Sequence, residues 1–210
     1  MIVRSILVEE STLREYLKTH WRGFDTKDYE LLTAMLLAEF HSKQFGGGFH
    51  IAFPVKQQTD REVSNEYTAD NIEQVLKRFI NEDTPIDLLV VPKEEVDPWP
   101  TSAREAKAKG QAFQLKRIAA RTGGDSTQEI LNLLEKIAKH YASIQAGLVL
   151  VIGGGKTSGS VDMDRIRNSF NFDGFPFNRV MFITGTAQGV LFGEIWPNFG
   201  HKEYSSEDLF

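Results

Sequence analysis

A short polar pattern in the middle of the chain carries the residues best suited to chemistry. Over positions 112–117, Phe113 and Leu115 are predicted to lie on one face of a strand, because side chains alternate between faces. Gln114 and Lys116 then share the opposite face. An unpaired ammonium is costly to bury, so a lysine on a buried strand requires a partner such as a carboxylate or a phosphate.

Asp87 supplies a candidate carboxylate from the preceding apolar run at 85–91. Carboxylate and amide oxygens are hard ligands that suit Mg²⁺ or Mn²⁺, and a nearby lysine can orient water or stabilise charge on a phosphate. Glu39, at the edge of the inward face of a predicted helix, would add a second carboxylate. The alternative is structural: a partly buried ion pair between Asp87 and Lys116, with Gln114 bonded to a backbone group.

The elements predicted to position these residues alternate between helices and strands. Helical periodicity covers 11–19, 26–43, 69–81, 126–142 and 162–170, while strand patterns cover 49–55, 86–91, 111–118, 147–152, 179–184 and 190–196. This order predicts an α/β or α+β fold with a mixed central sheet flanked by helices and a C-terminal two-strand extension. We expect one domain over 1–210, with a core at about 26–152, an insertion at about 92–110 and the extension at about 160–210.

Local signals predict how several of these elements begin and end. The glycines at 46–48 should end the first long helix, and Pro54 should mark an edge or end of its strand. Ser126 and Glu129 form a capping-box pattern, and the apolar run at 147–152 suits a parallel strand buried on both faces. The glycines at 153–155 should break that strand. The segment 204–210 is expected to be an exposed tail that could contact a partner.

The polar pattern resembles the PD-(D/E)xK nuclease superfamily, whose core places an Asp on one strand and an acid-x-Lys motif on the next. The sequence Phe-Gln-Leu-Lys-Arg at 113–117 is similar to that of Mrr-type restriction endonucleases, in which glutamine commonly replaces the second acid. The Pro-Ile-Asp at 85–87 resembles the "PD" element with one residue interposed. Glu39 resembles the helical glutamate that many members contribute.

The resemblance implies a restriction-endonuclease-like fold and metal-dependent hydrolysis of DNA phosphodiester bonds. Glu39, Asp87, Gln114 and the carbonyl of Leu115 would hold Mg²⁺ or Mn²⁺. The catalytic residues would be Asp87, Gln114 and Lys116, and Lys109 and Arg117 would hold backbone phosphates. The alternative is a catalytically inactive member of the fold that serves as a binding module, since a neutral glutamine lowers metal affinity.

Charge and composition limit the remaining function classes. The 210 residues carry a net charge of −5 and no cysteine, which excludes disulfides, zinc–thiolate sites and thiol nucleophiles. The segment 102–121 nevertheless carries +5, which suits a phosphate-bearing ligand. Its six basic residues are Arg104, Lys107, Lys109, Lys116, Arg117 and Arg121.

Other sequence signals concern nucleotide binding, location and assembly. A P-loop is disfavoured at 153–158, because Leu150 occupies the position where that motif requires a glycine. The sequence predicts a cytoplasmic protein without a signal peptide or membrane span. Cutting both strands of DNA would require two sites and hence a homodimer.

Overall fold

The computed structural model describes residues 3–21, 28–46, 49–56, 86–92, 103–118, 125–141, 149–156, 161–186, 189–198 and 200–209. Over these residues the protein is a mixed α/β fold in which helices flank a mixed sheet of eight strands. The chain divides into two compact units, the first ending at Phe113 and the main part of the second beginning at Gln114. This division falls within one strand, and the expected single domain stays a prediction.

The strands follow one another across the sheet in chain order. They are β1 (Val3–Glu9), β2 (Phe49–Lys56), β3 (Leu88–Pro92), β4 (Gln111–Arg117), β5 (Val149–Lys156), β6 (Arg179–Gly185), β7 (Gly189–Trp196) and β8 (Gly200–Ser205). Antiparallel pairing joins β1 to β2, β2 to β3, β3 to β4, β6 to β7 and β7 to β8, while β5 and β6 are parallel. The predicted mixed sheet is confirmed, and β1 and β8 are strands that the sequence patterns do not predict.

Helices precede or follow most of these strands. Those in the described residues are α1 (Glu10–His20), α2 (Asp28–Phe45), α3 (Ala103–Lys109), α4 (Thr127–His140), α5 (Met163–Ser169) and α6 (Ser206–Leu209). The predicted helix over 69–81 lies outside the described residues, and the predicted insertion over 92–110 contains α3. None of the described helices has both the length and the apolar composition that a membrane span requires.

The central element of the first unit's core is α2. Every residue from 31 to 38 is buried, although the sequence stripe predicts only one apolar face. The helix packs against α1, β2 and β3, and contact with several elements explains its burial around the circumference. Gly46 ends the helix with φ +70° and donates its N–H to the Ser42 carbonyl over 3.0 Å, which confirms the predicted glycine stop.

Pro54 lies where β2 no longer pairs with one of its neighbours. The strand pairs with β1 along its whole length, but its pairing with β3 extends only from Phe49 to Ala52. A residue that lacks a backbone N–H is tolerated beyond that point because no ladder bond toward β3 is lost. Pro54 thus lies in a strand that has neighbours on both sides, at a point where only β1 still pairs with it.

The parallel part of the sheet is formed by β5 and β6 in the second unit. Residues 149–152 are each at most 1% exposed, as the continuous apolar run predicts. The following glycines do not end β5, which continues to Lys156 opposite Gly185 with an irregularity after Gly153. The prediction of a strand break at 153–155 is wrong, because the sheet accommodates the glycines as a local register shift.

A hydrogen-bonded junction joins the start of α4 to the start of α5. Asp125 Oδ1 accepts from the Thr127 N–H over 2.9 Å, whereas the Ser126 side chain makes no capping bond. Thr127 Oγ1 accepts from the Asp162 N–H over 2.9 Å, and Asp162 Oδ1 accepts from the Arg165 N–H over 2.8 Å. Arg165 Nη1 returns to Asp125 Oδ2 over 3.0 Å. The capping-box prediction places the helix start correctly but assigns the cap to the wrong residue.

The C-terminal segment belongs to the fold rather than forming an exposed tail. Tyr204 in β8 is 5% exposed and Leu209 in α6 is 3% exposed. Lys202 Nζ lies 4.3 Å from the centroid of the Tyr204 ring, and Asp208 Oδ2 accepts from Ser205 Oγ over 2.8 Å. The prediction of an exposed tail over 204–210 is wrong for the described residues, because pairing of β8 with β7 buries Tyr204.

Gly193 allows β7 and β8 to approach closely, and we expect Gly193→Ala to destabilise the protein. A Cβ at Gly193 would lie 2.7 Å from the Gly200 carbonyl oxygen and 2.8 Å from His201 Cβ. Overpacking of this kind typically costs about 1–3 kcal/mol in the free energy of unfolding, which urea denaturation would measure. The control Gly200→Ala meets nothing within 4 Å and should change stability by less than about 0.5 kcal/mol. Equal stabilities of the two variants would contradict the close approach.

The junction between α4 and α5 predicts a pH-dependent contribution to stability. The pKa of the Asp125 carboxyl lies below its ordinary value of 3.8, mainly because the Thr127 side chain and N–H stabilise the charged form, with Arg165 adding to them. A lowered folded-state pKa contributes stability above the unfolded value that is lost as pH falls through the folded value.

Asp125→Asn should therefore lower the free energy of unfolding at neutral pH, and its difference from wild type should shrink as pH falls below 3.8 and vanish below the lowered folded-state pKa. Urea denaturation across the acidic range measures this difference. Asp164→Asn, an exposed position on α5, is the charge-matched control. If the difference in free energy of unfolding between Asp125→Asn and wild type stays constant down to the lowest pH, the lowered pKa of Asp125 does not contribute to stability.

Candidate active site

Asp87 lies immediately before the first residue of β3. It is 5% exposed, and its neighbours Ile86 and Leu88 are fully buried. Its N–H donates to the Phe113 carbonyl over 3.0 Å, which continues the antiparallel pairing in which Leu88 lies opposite Phe113. The backbone thus fixes Asp87 beside the residue that precedes Gln114, at the start of the strand rather than within it as the sequence pattern predicts.

Exposure increases along β4 from the buried Gln114 to the end of the strand. Gln114 is 3% exposed, Leu115 and Lys116 are half-buried, and Arg117 is exposed. The predicted buried strand is found at residues 112–114, but burial has already decreased at Lys116. A half-buried lysine can pack its methylene groups against the protein while its ammonium reaches solvent.

The interaction that the structure describes for the Lys116 ammonium is with an aromatic ring. Lys116 Nζ lies 5.9 Å from the ring centroid of Tyr141, the residue that follows α4. The Tyr141 ring also meets those of His140 and Phe177, at centroid distances of 5.8 and 6.0 Å. An ammonium within about 6 Å of a ring centroid gains cation–π attraction. Nothing in the local sequence pattern of Tyr141 predicts its contact with Lys116.

Glu39 is held by two cations. Its carboxylate pairs with Arg14 Nη2 at 3.2 Å and with Lys43, one turn further along α2. Arg14 also pairs with Glu10 at 2.7 Å, so that an ion-pair network joins α1 to α2. The Glu39 side chain is 17% exposed, which reduces screening of these pairs. To bind a metal ion, this carboxylate would have to leave at least one of its cations.

The two residues predicted to contact phosphates flank β4. Lys109 is the last residue of α3 and is half-buried, whereas Arg117 is the last residue of β4 and is exposed. Arg104, nearer the start of α3, is also exposed. Part of the predicted basic segment is therefore accessible to a polyanion.

The candidate residues near β3 and β4 carry oxygen atoms of the type that binds hard cations. The Asp87 carboxylate, the Gln114 amide and the Leu115 carbonyl are donors of the kind that Mg²⁺ and Mn²⁺ prefer. In the part of the chain that the structure describes, no three His, Asp or Glu side chains form a metal-binding group. A metal site would thus depend on amide and carbonyl oxygens as much as on carboxylates.

Comparisons of the chain with protein-family models, with curated proteins and with solved structures find no match. No relative therefore assigns a role to Asp87, Gln114 or Lys116, and their roles follow from position and chemistry.

An aromatic segment near α5 also has no role in the sequence analysis. Four phenylalanines occur in the eight positions 170–177, and several of their rings contact one another. The high density of aromatic residues in this loop is the feature of the sequence that could have indicated an aromatic cluster. Trp196, the last residue of β7, stacks on Phe172.

A double-mutant cycle would measure the interaction between Lys116 and Tyr141. We expect Lys116→Met and Tyr141→Leu to show a coupling of about 0.5–1 kcal/mol in the free energy of unfolding, because each change removes the same cation–π contact. Tyr141→Phe keeps the ring face and should preserve the coupling to Lys116. Strictly additive effects of Lys116→Met and Tyr141→Leu would show that the contact contributes nothing.

Proposed function

We propose that this protein is a divalent-metal-dependent nuclease that hydrolyses DNA phosphodiester bonds, with a restriction-endonuclease-like core. The observation that carries the proposal is the backbone bond from Asp87 to Phe113, the residue before Gln114. The bond holds Asp87 against Phe113, and Gln114, a second buried polar residue, follows Phe113 directly in the chain. Lys116 follows two residues later on the same face of β4.

The residues have distinct proposed roles. The Asp87 carboxylate and the oxygens of Gln114 and Leu115 would hold Mg²⁺ or Mn²⁺, which when bound acidifies water and neutralises charge on a phosphate. Lys116 is half-buried, so its ammonium can reach a phosphate at the protein surface and orient an attacking water. Glu39 would join the ligands only by releasing Arg14 or Lys43.

The expected substrate is DNA, and its backbone would contact the basic residues that flank β4. Arg117 is exposed at the end of the strand, and Lys109 precedes its start. These residues belong to the +5 segment of an otherwise acidic chain, so that attraction to phosphates would be local. We also propose a cytoplasmic location, and a homodimer if both strands are cut.

A second function, a binding module that does not cut DNA, is favoured by one observation. Glu39 is already neutralised by Arg14 and Lys43, which leaves Asp87 as the carboxylate of the proposed metal site. Because Gln114 is neutral, metal affinity would be lower than at a site with two or three acids. Such a protein would bind nucleic acid through its basic residues without hydrolysing it.

A cleavage assay tests the proposal directly. Plasmid and single-stranded DNA are incubated with Mg²⁺ or Mn²⁺ and wild-type protein, Asp87→Asn or Lys116→Ala. We expect each variant to lose about a hundredfold or more of the cleavage rate, because each lacks a group that stabilises the transition state. The matched controls Asp164→Asn and Lys18→Ala, at exposed positions, should cut as wild type does. Chelation of the metal should abolish all cutting.

Gln114→Glu sharpens the assay by supplying the acid that is usual at this position of the nuclease motif. It should lower the Mg²⁺ concentration needed for half-maximal cutting, because a carboxylate binds the cation more tightly than an amide does. Wild-type protein that binds DNA but never cuts it would overturn the proposal in favour of the binding module. Absence of DNA binding, with a large stability loss in both Asp87→Asn and Lys116→Ala, would indicate a structural ion pair instead.

A further inference from the structure

A continuous row of aromatic rings in the second unit begins at Tyr141, whose ring lies beside Lys116. From the Tyr141 ring beside Lys116, the row passes to Phe177 and then to Phe175, with centroid distances of 6.0 and 5.8 Å. Phe175 contacts both Phe170, at 5.4 Å, and Phe172, at 5.7 Å. The row ends where Phe172 stacks on Trp196 at 5.4 Å with an interplanar angle of 9°.

The rings of this aromatic row are not all part of a core. Phe177 and Phe172 are 1% and 7% exposed and anchor the row. Tyr141, Phe170, Phe175 and Trp196 are only partly buried. The partly exposed rings of the row form a connected apolar surface that a ligand can contact.

The loop that carries most of the row is held in one conformation by its own backbone. The Phe175 N–H donates to the Phe172 carbonyl over 3.0 Å, and Gly174 between them has φ +74°. Asn171 Oδ1 accepts from the Asp173 N–H over 2.9 Å, which forms a second turn. The rings are therefore positioned before any ligand binds, which reduces the entropy lost on binding.

Two basic side chains lie beside the Tyr141 end of the aromatic row, which favours an anionic ligand. Lys116 and His140 lie within 5.9 Å of the Tyr141 ring centroid, and the exposed Lys139 precedes His140. Arg167 is exposed in the last turn of α5, just before Phe170. Asp173 is the acidic residue within the loop itself.

We propose that the aromatic row binds single-stranded nucleic acid, whose unpaired bases stack on the partly exposed rings while its phosphates contact the bordering basic residues. Stacking on aromatic side chains tolerates any base sequence, and a positive border attracts the phosphate backbone. Paired bases are stacked inside a duplex and cannot reach the rings. The inference rests on the proposed function in taking nucleic acid as the ligand, and it makes single strands the preferred substrate.

Binding without metal separates this inference from the proposed cleavage. A fluorescein-labelled oligothymidine of about twelve nucleotides, single-stranded or annealed to oligoadenosine, is titrated with protein in a chelator and followed by fluorescence anisotropy. We expect wild-type protein to prefer the single strand. Phe175→Leu and Trp196→Leu should each weaken that binding about tenfold, a loss within the range for one stacked base.

Matched variants keep the test independent of folding. Phe175→Tyr retains an aromatic ring and should bind as wild type does, and Phe45→Leu removes a 63% exposed ring outside the row. Unchanged single-strand binding by Phe175→Leu and Trp196→Leu, or equal affinity of wild type for the duplex, would overturn the inference. If the protein binds single strands but never cuts DNA, the proposed binding role of the aromatic row is supported and only the proposed nuclease activity is rejected.

Discussion

The pairing of β3 with β4 is the constraint on which the candidate site depends. Phe113 is 1% exposed, lies opposite Leu88, and meets the buried His41 ring at 5.9 Å. Shifting β4 by one residue would exchange the faces of Phe113 and Gln114, because side chains alternate along a strand. Packing of an apolar ring therefore specifies the register that also presents the polar residues, so that fold stability and site geometry are coupled.

Asp87 and Gln114 are polar residues in apolar surroundings. Both residues are at most 5% exposed, and the neighbouring Ile86 and Leu88 are fully buried. Polar groups in such surroundings must be hydrogen-bonded to avoid a desolvation penalty, and apolar residues of similar volume are often at least as stabilising. By contrast, the cations around Glu39 stabilise its charge where it is. Asp87 and Gln114 are the buried polar side chains on which the proposed metal site depends.

Hydrophobic periodicity predicts most of the elements, because it depends on residues that are close in the sequence. It locates α2, the strands β2 to β7 and the polar pattern that contains Gln114 and Lys116. It does not predict that α2 is buried all round, since this depends on packing by α1, β2 and β3. The contact between Lys116 and Tyr141 is likewise beyond local patterns, because the two residues are distant in sequence and meet only through the fold.

The order of the strands has a consequence for how the chain folds. Because each strand lies next to its sequence neighbour, the sheet can grow from one end as successive strands are synthesised, without threading a later segment between earlier ones. The parallel step from β5 to β6 costs more than a tight hairpin, since it requires a crossover that contains α5 before any ladder bond forms. Closure of this crossover should therefore be slower than formation of the β6–β7 hairpin, whose apolar surface would stay exposed until β5 pairs with β6.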